Sequence, residues 1–166
     1  MELVFNENQR LLHSILPKPI AEQIRTGQQN VVQRFESVSI LFADIVGFTK
    51  FSEQLEPQSV VDMLNGLFSK FDDLTDYYGI EKIKTIGDSY MVAAGVPERK
   101  KDHALVLFHF AKDMLKTLKK YNRAKGTKLK LRIGLSSGPV VAGVIGKKKF
   151  AYDLWGDTVN LSLIHI

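Results

Sequence analysis

Two aspartates carry the first chemical signal. Asp44 directly follows Val38-Ser39-Ile40-Leu41-Phe42-Ala43, a run too apolar on both faces for a solvated edge, which predicts a central strand buried on both sides. An unpaired carboxylate at the end of such a strand is costly unless a cation or a hydrogen-bond donor meets it. The next residues, Ile45-Val46-Gly47-Phe48-Thr49, turn through a glycine that lets backbone approach a ligand, and a helix follows. A strand-end carboxylate beside the free N–H groups of a helix start suits a metal–phosphate ligand. An aspartate that simply caps the helix fits the same residues. Asp88 lies in Gly87-Asp88-Ser89, which forms a tight turn with or without a ligand.

The elements around them decide whether the two can meet. Pro57 opens a long helix whose apolar residues, Val60 to Tyr78, recur at three and four, and Gly79 closes it. Residues 80–95 read as a hairpin: Ile80, Ile83 and Ile86 on one strand, the Gly87–Ser89 turn, and Tyr90 to Gly95 on the return. A second helix spans about Asp102 to Ala124, with a lysine-rich outer face and Gly126 at its end. Leu129, Leu131, Ile133 and Leu135 form a fourth strand that stops at Ser136-Ser137-Gly138. A glycine-punctuated apolar segment (140–146), a short strand (150–155) and a helix start at Asp157-Thr158-Val159-Asn160 follow.

The order β-α-β-β-α-β is that of a ferredoxin-like α/β (α+β) fold. There the first strand lies antiparallel beside the third, so the end of one meets the start of the other. Asp44 and Asp88, 44 residues apart, then converge at one sheet edge. Two ionised carboxylates that close repel. Two divalent cations relieve the repulsion, and a metal pair about 3.5–4 Å apart is the usual clamp for in-line displacement at phosphorus.

The 166 residues, 45% of them apolar, suffice for one domain and an extension. No run approaches the roughly 18 apolar residues of a membrane span, no signal-peptide pattern is present, and the absence of Cys excludes disulfides and thiolate metal sites. These features predict a cytoplasmic domain. The net charge of +5 is spread over several lysine clusters without interleaved aromatics, which argues against nucleic acid. Residues 1–33 read as a helical linker: Leu11, Leu12, Ile15 and Leu16 form one face, Pro17 and Pro19 interrupt it, and a second short helix ends at Gly27. That apolar face pairs either with another chain or with its own domain. His13, His103, His109 and His165 show no ligand spacing, and His109 between Phe108 and Phe110 reads as a packing residue.

Three segments together resemble the catalytic domain of class III nucleotidyl cyclases: Phe42 to Thr49, Glu81 to Met91, and Tyr152 to Asn160. The resemblance covers roughly 34–160, and Ile15 to Ala21 is similar to the helical linker that joins sensor modules to bacterial cyclase domains. It implies the palm-type core of that family and a homodimer with active sites at its interface. It also implies conversion of ATP to 3′,5′-cyclic AMP and pyrophosphate in cyclic-nucleotide signalling. By resemblance Asp44 and Asp88 hold two Mg2+ or Mn2+ ions, with the Ile45 carbonyl as a further metal contact. The backbone of Ile45, Val46, Gly47, Phe48 and Thr49 cradles the triphosphate, Lys82 and Asp153 select adenine, and Asn160 orients the ribose. An ammonium donor and a carboxylate acceptor complement the N1 acceptor and N6 donor of adenine. The similar guanylyl enzymes carry an acidic residue in place of the lysine. The parent protein is expected to bear an upstream sensor or membrane module.

The resemblance breaks after Asn160. The family has an Ala-Ser-Arg run there, whose Arg stabilises charge on the phosphates; position 164 is Ile, and the chain reads Leu161-Ser162-Leu163-Ile164-His165-Ile166. The family's last strands and a phosphate-contacting lysine are absent as well. Leu-Ser-Leu-Ile-His-Ile is what one frame of a common transposon-derived sequencing adapter encodes, so residues 161–166 are expected to be an artefact fused to a truncated gene. The chain is therefore expected to be weakly active or inactive. Three other readings stand beside this one. A guanylate cyclase is disfavoured by Lys82 and Asp153, and a non-catalytic dimerising partner by the retention of both aspartates. A diguanylate cyclase is disfavoured because its Gly-Gly-Asp/Glu-Glu-Phe loop is missing.

Overall fold

The computed structural model describes residues 2–28, 30–146 and 148–164. Two helices, α1 (Glu2–Ile15) and α2 (Lys18–Arg25), precede β1 (Val32–Ile45). Then come α3 (Phe48–Ser52), α4 (Pro57–Tyr78), the hairpin β2 (Glu81–Ile86) and β3 (Ser89–Ala94), and α5 (His103–Lys125). β4 (Leu131–Ile145), β5 (Ala151–Trp155) and α6 (Asp157–Ile164) complete the chain. The sheet order is β2-β3-β1-β4-β5, and every pairing is antiparallel. This is the ferredoxin-like arrangement expected, with β1 beside β3 and one added edge strand.

Val38 to Ala43 are buried on both faces of β1, as their composition requires. Leu41, Ala43 and Ile45 face α4 and α5 with Leu67, Phe71, Leu107 and Phe110. Val38, Ile40 and Phe42 face the opposite way, into a second core with Phe35, Met91, Val140 and Tyr152. The linker helices enter that second core. Leu16, Ile20 and Ala21 are buried in it and Leu12 packs against it, whereas Leu11 and Ile15 stay exposed. The four-residue apolar face thus splits, and its inner half packs on its own domain.

Two expectations are corrected. β1 begins at Val32, inside the segment assigned to the linker, because residues 32–35 pair with 140–143. A bulge sets Glu36 and Ser37 against Pro139 alone, so Phe35 and Val38 face the same core and the alternation of β1 is reset between them. β4 does not stop at Ser136-Ser137-Gly138 but runs continuously to Ile145. Pro139 sits opposite the bulge, where no ladder N–H is required of it. Gly138 is needed there because a Cβ would fall 2.6 Å from Thr158 Oγ1. Residues 161–164, set aside from fold reasoning above, continue α6. Ser162 is fully buried and its hydroxyl donates to the carbonyls of Gly134 and Ile40. His165 lies outside the described residues.

Candidate active site

The β1–β3 register, with Ala43 opposite Tyr90, carries the end of β1 to the hairpin turn. There the Asp88 carboxylate accepts the Ile45 N–H at 3.0 Å. Asp44 and Asp88 therefore reach the same end of the sheet. Asp44 does not cap α3; Gly47 is the N-cap, in the left-handed region at φ 71° with no side-chain cap. The Asp44 carboxylate is held instead by Arg132, its cross-strand partner on β4. Arg132 donates from Nε to Oδ1 at 3.1 Å and from Nη2 to Oδ2 at 3.0 Å, a bidentate pair. Arg132 escaped the sequence reading because its position opposite Asp44 depends on the β1–β4 register. The available signal was a basic residue on the alternating face of the fourth strand.

The donor set fits a hard cation. Two carboxylates at one edge, with backbone nearby, match Mg2+, which takes one or two carboxylates plus phosphate oxygens and water. Among the described residues no group of three or more His, Cys, Asp or Glu gathers. The Arg132 guanidinium occupies the Asp44 carboxylate in this arrangement, so a metal ion there would compete with it. Of the expected phosphate cradle, two N–H groups are already engaged: Ile45 with Asp88 and Val46 with the Lys130 carbonyl at 2.9 Å. Gly47, Phe48 and Thr49 form the start of α3, whose first N–H groups lack intrahelical partners.

Lys82 and Asp153, both expected at the adenine, do not lie together. Lys82 Nζ contacts Asp72 on α4 at 2.8 Å and lies 5.1 Å over the Tyr90 ring. Lys84 pairs with Asp153, Nζ to Oδ2 at 2.7 Å. The cause is a second bulge: Lys82 pairs with Val92 but Lys84 with Met91. Val92 belongs to the helix-side core and Met91 to the opposite one, so two lysines that simple alternation puts on one face lie on different faces. The other Asp153 oxygen accepts the Leu154 N–H at 2.8 Å, which fixes the carboxylate. β2 and β5 are opposite edges of the sheet, yet the curled sheet brings them into contact.

Asn160 stands exposed on α6. That helix is clamped to β4 by Thr158, whose hydroxyl donates to the Pro139 carbonyl at 2.8 Å and whose carbonyl accepts from Ser136. His103 Nδ1 meets the buried Ser39 hydroxyl at 2.7 Å. His109 is exposed beside Phe108 rather than packed, which corrects that expectation. A cavity of about 850 Å3 between the linker, the end of α4 and β2 contains Lys82 and Glu81 but neither Asp44 nor Asp88. Burial, and secondarily Asp76, pushes the Glu81 carboxyl up to about 7. Among the described residues no helix is long and apolar enough to cross a membrane.

Residues 30–163 match the family model described as the adenylate and guanylate cyclase catalytic domain. An adenylate cyclase of Mycobacterium tuberculosis is 44% identical over 163 residues, covering 98% of this chain and 37% of that protein. The receptor-type guanylate cyclase gcy-28 of Caenorhabditis elegans is 44% identical over 156 residues, covering 93% of this chain and 12% of that protein. The chain thus spans little more than a third, or less, of these relatives. Among solved structures, the catalytic core of a rhodopsin-guanylyl cyclase with converted specificity, in complex with ATPαS, superposes with a TM-score of 0.76 at 39% identity. It covers 80% of this chain and 72% of that one.

Proposed function

The chain belongs to the adenylate and guanylate cyclase catalytic-domain family, and from that premise we propose that its site converts ATP to 3′,5′-cyclic AMP and pyrophosphate. The observation that carries the choice of base is the Lys84–Asp153 pair, which replaces the Lys82–Asp153 assignment. An ammonium and a fixed carboxylate give one donor and one acceptor to the base edge. They read adenine when the ammonium meets N1 and the carboxylate meets N6. They read guanine only in the reversed order, and the adenylate and guanylate relatives are equally similar.

Asp44 and Asp88 hold the divalent cations, Mg2+ or Mn2+, with the Ile45 carbonyl beside them. When bound, these ions supply acidification of the ribose 3′-hydroxyl and charge neutralisation on the triphosphate. Arg132, paired with Asp44 at the same edge, supplies a further cation for a phosphate oxygen. The first-turn N–H groups of Gly47, Phe48 and Thr49 receive the remaining phosphate charge. Asn160 orients the ribose so that O3′ attacks the α-phosphorus in line with the leaving pyrophosphate. No side-chain nucleophile is required. A homodimer, in which Lys84 and Asp153 of one copy serve the metal edge of the other, completes the reading.

Purified chain supplied with Mn2+ and either ATP or GTP tests it. Cyclic AMP in excess of cyclic GMP, abolished by Asp44→Asn, is expected. Preferential cyclic GMP formation selects the reversed base order. Nucleotide binding unaltered by Asp44→Asn, in a chain that still shows no turnover after Ile164→Arg, selects a non-catalytic module.

A further inference from the structure

The outer face of α5 is chemically unlike the rest of the surface. The helix runs 23 residues, about 34 Å at 1.5 Å per residue. Its inner face is committed to the core through Leu107, Phe110, Met114 and Leu118. The opposite face presents Leu105, Phe108 and Leu115, which are 58%, 53% and 48% exposed. Lys112, Lys116, Lys119, Lys120 and Arg123 stand exposed among and after them. Over the helix six Lys and Arg face one acid, Asp113, for a net +5, and the whole chain also carries +5. The charges elsewhere cancel; the excess belongs to this element.

We propose that this face docks the domain on an anionic lipid bilayer, with Leu105, Phe108 and Leu115 entering the interface and the basic side chains holding the headgroups. The occupant has to answer both halves of the pattern. A second copy of the same face brings another net +5 and is repelled. A nucleic acid offers phosphates but nothing for three exposed apolar side chains. A peptide helix docks in a groove, whereas neither the cavity of about 850 Å3 nor a second of about 430 Å3 takes a lining residue from α5. A convex helix with apolar side chains flanked by lysines fits a flat surface that is anionic at the headgroups and apolar beneath them. The lysine stems lie along the apolar layer while their ammonium groups stay in water.

Co-sedimentation of the full chain with vesicles tests the proposal. Binding is expected to phosphatidylcholine vesicles carrying about 30% phosphatidylserine, not to pure phosphatidylcholine, with release at about 0.5 M NaCl. Each basic residue removed costs about fivefold in partitioning, equivalent to roughly 1 kcal/mol. The triple variant Lys119→Gln/Lys120→Gln/Arg123→Gln therefore loses well over tenfold, and Phe108→Ser alone also weakens binding. All four side chains are exposed, so circular dichroism and thermal melting are expected to match the parent. Equal binding to neutral vesicles, no sedimentation with anionic ones, or binding indifferent to both variants overturns the proposal. So does an acidic amphipathic peptide that binds where vesicles do not, or a dimer in sedimentation equilibrium that Phe108→Ser dissociates.

Discussion

Replacing Lys84 and Lys82 separately by Met is the sharpest test of the assigned site, because the two residues are neighbours in sequence and opposite in predicted effect. Lys84 Nζ lies 2.7 Å from Asp153, whose side chain is only 16% exposed. Lys84→Met deletes a charged donor to the base and leaves that carboxylate with the Leu154 N–H alone. A hydrogen bond to a charged group contributes about 1.5–3 kcal/mol, which is roughly 10- to 150-fold in kcat/KM at about 1.4 kcal/mol per tenfold. Lys82→Met instead removes the Asp72 contact on the helix side. It is expected to lower Tm by a few degrees and to leave kcat/KM for ATP within about threefold, since a partly exposed pair contributes about 1 kcal/mol or less. Initial rates with ATP and GTP measure the first effect. The Kd of a non-hydrolysable ATP analogue measures it independently of turnover, and thermal melts measure the second. The double variant Lys84→Glu/Asp153→Cys is expected to shift preference toward GTP. Loss of ATP recognition in Lys82→Met with retention in Lys84→Met would refute the assignment.

Three further outcomes follow from the same geometry. Glu81 titrates near 7 when folded against 4.5 as its ordinary value, so the folded state holds an extra proton between those limits and stability falls as pH rises from about 4.5 to about 7. Glu81→Gln is expected to remove that slope and add up to about 3 kcal/mol at pH 8, read by urea denaturation at pH 5 and pH 8; an unchanged pH profile contradicts it. Arg132→Met is expected to raise KM for the metal–ATP complex about tenfold or more through loss of a charged hydrogen bond. Mn2+ affinity measured by electron paramagnetic resonance should stay equal or rise, because Asp44 loses a competing cation. Ile164→Arg, which restores the basic residue that the family carries four positions after the Asn, is expected to raise kcat about 10²–10³-fold; an unaltered rate argues that position 164 is not the deficit.

Much of this fold was legible because periodicity and topology agree. Val38 to Ala43 declared a doubly buried strand, and α4 and α5 declared themselves by apolar residues at three and four with Gly79 and Gly126 at their ends. The meeting of Asp44 and Asp88 at one sheet end followed from strand order alone. What was hidden lies at two bulges, and both hide by the same physics. An extra residue inverts every later side chain in a strand. At Phe35/Val38 it concealed the first third of β1, and opposite it Pro139 carries β4 on past Ser136-Ser137-Gly138, where the alternating pattern ends. At Lys82/Lys84 it sent the wrong lysine to Asp153. Bulges also bend and twist the strand that carries them, and here the bent β1–β4 ribbon lets β5 reach across to β2, its opposite edge. The irregularities that defeat pattern reading are therefore the ones that assemble the Lys84–Asp153 pair. Deleting Ile83 would remove the β2 bulge while the hairpin turn keeps Lys84 opposite Met91, so the Lys84–Asp153 pair survives if the face alone sets it and is lost if the bend of the bulged strand is what carries Lys84 to Asp153.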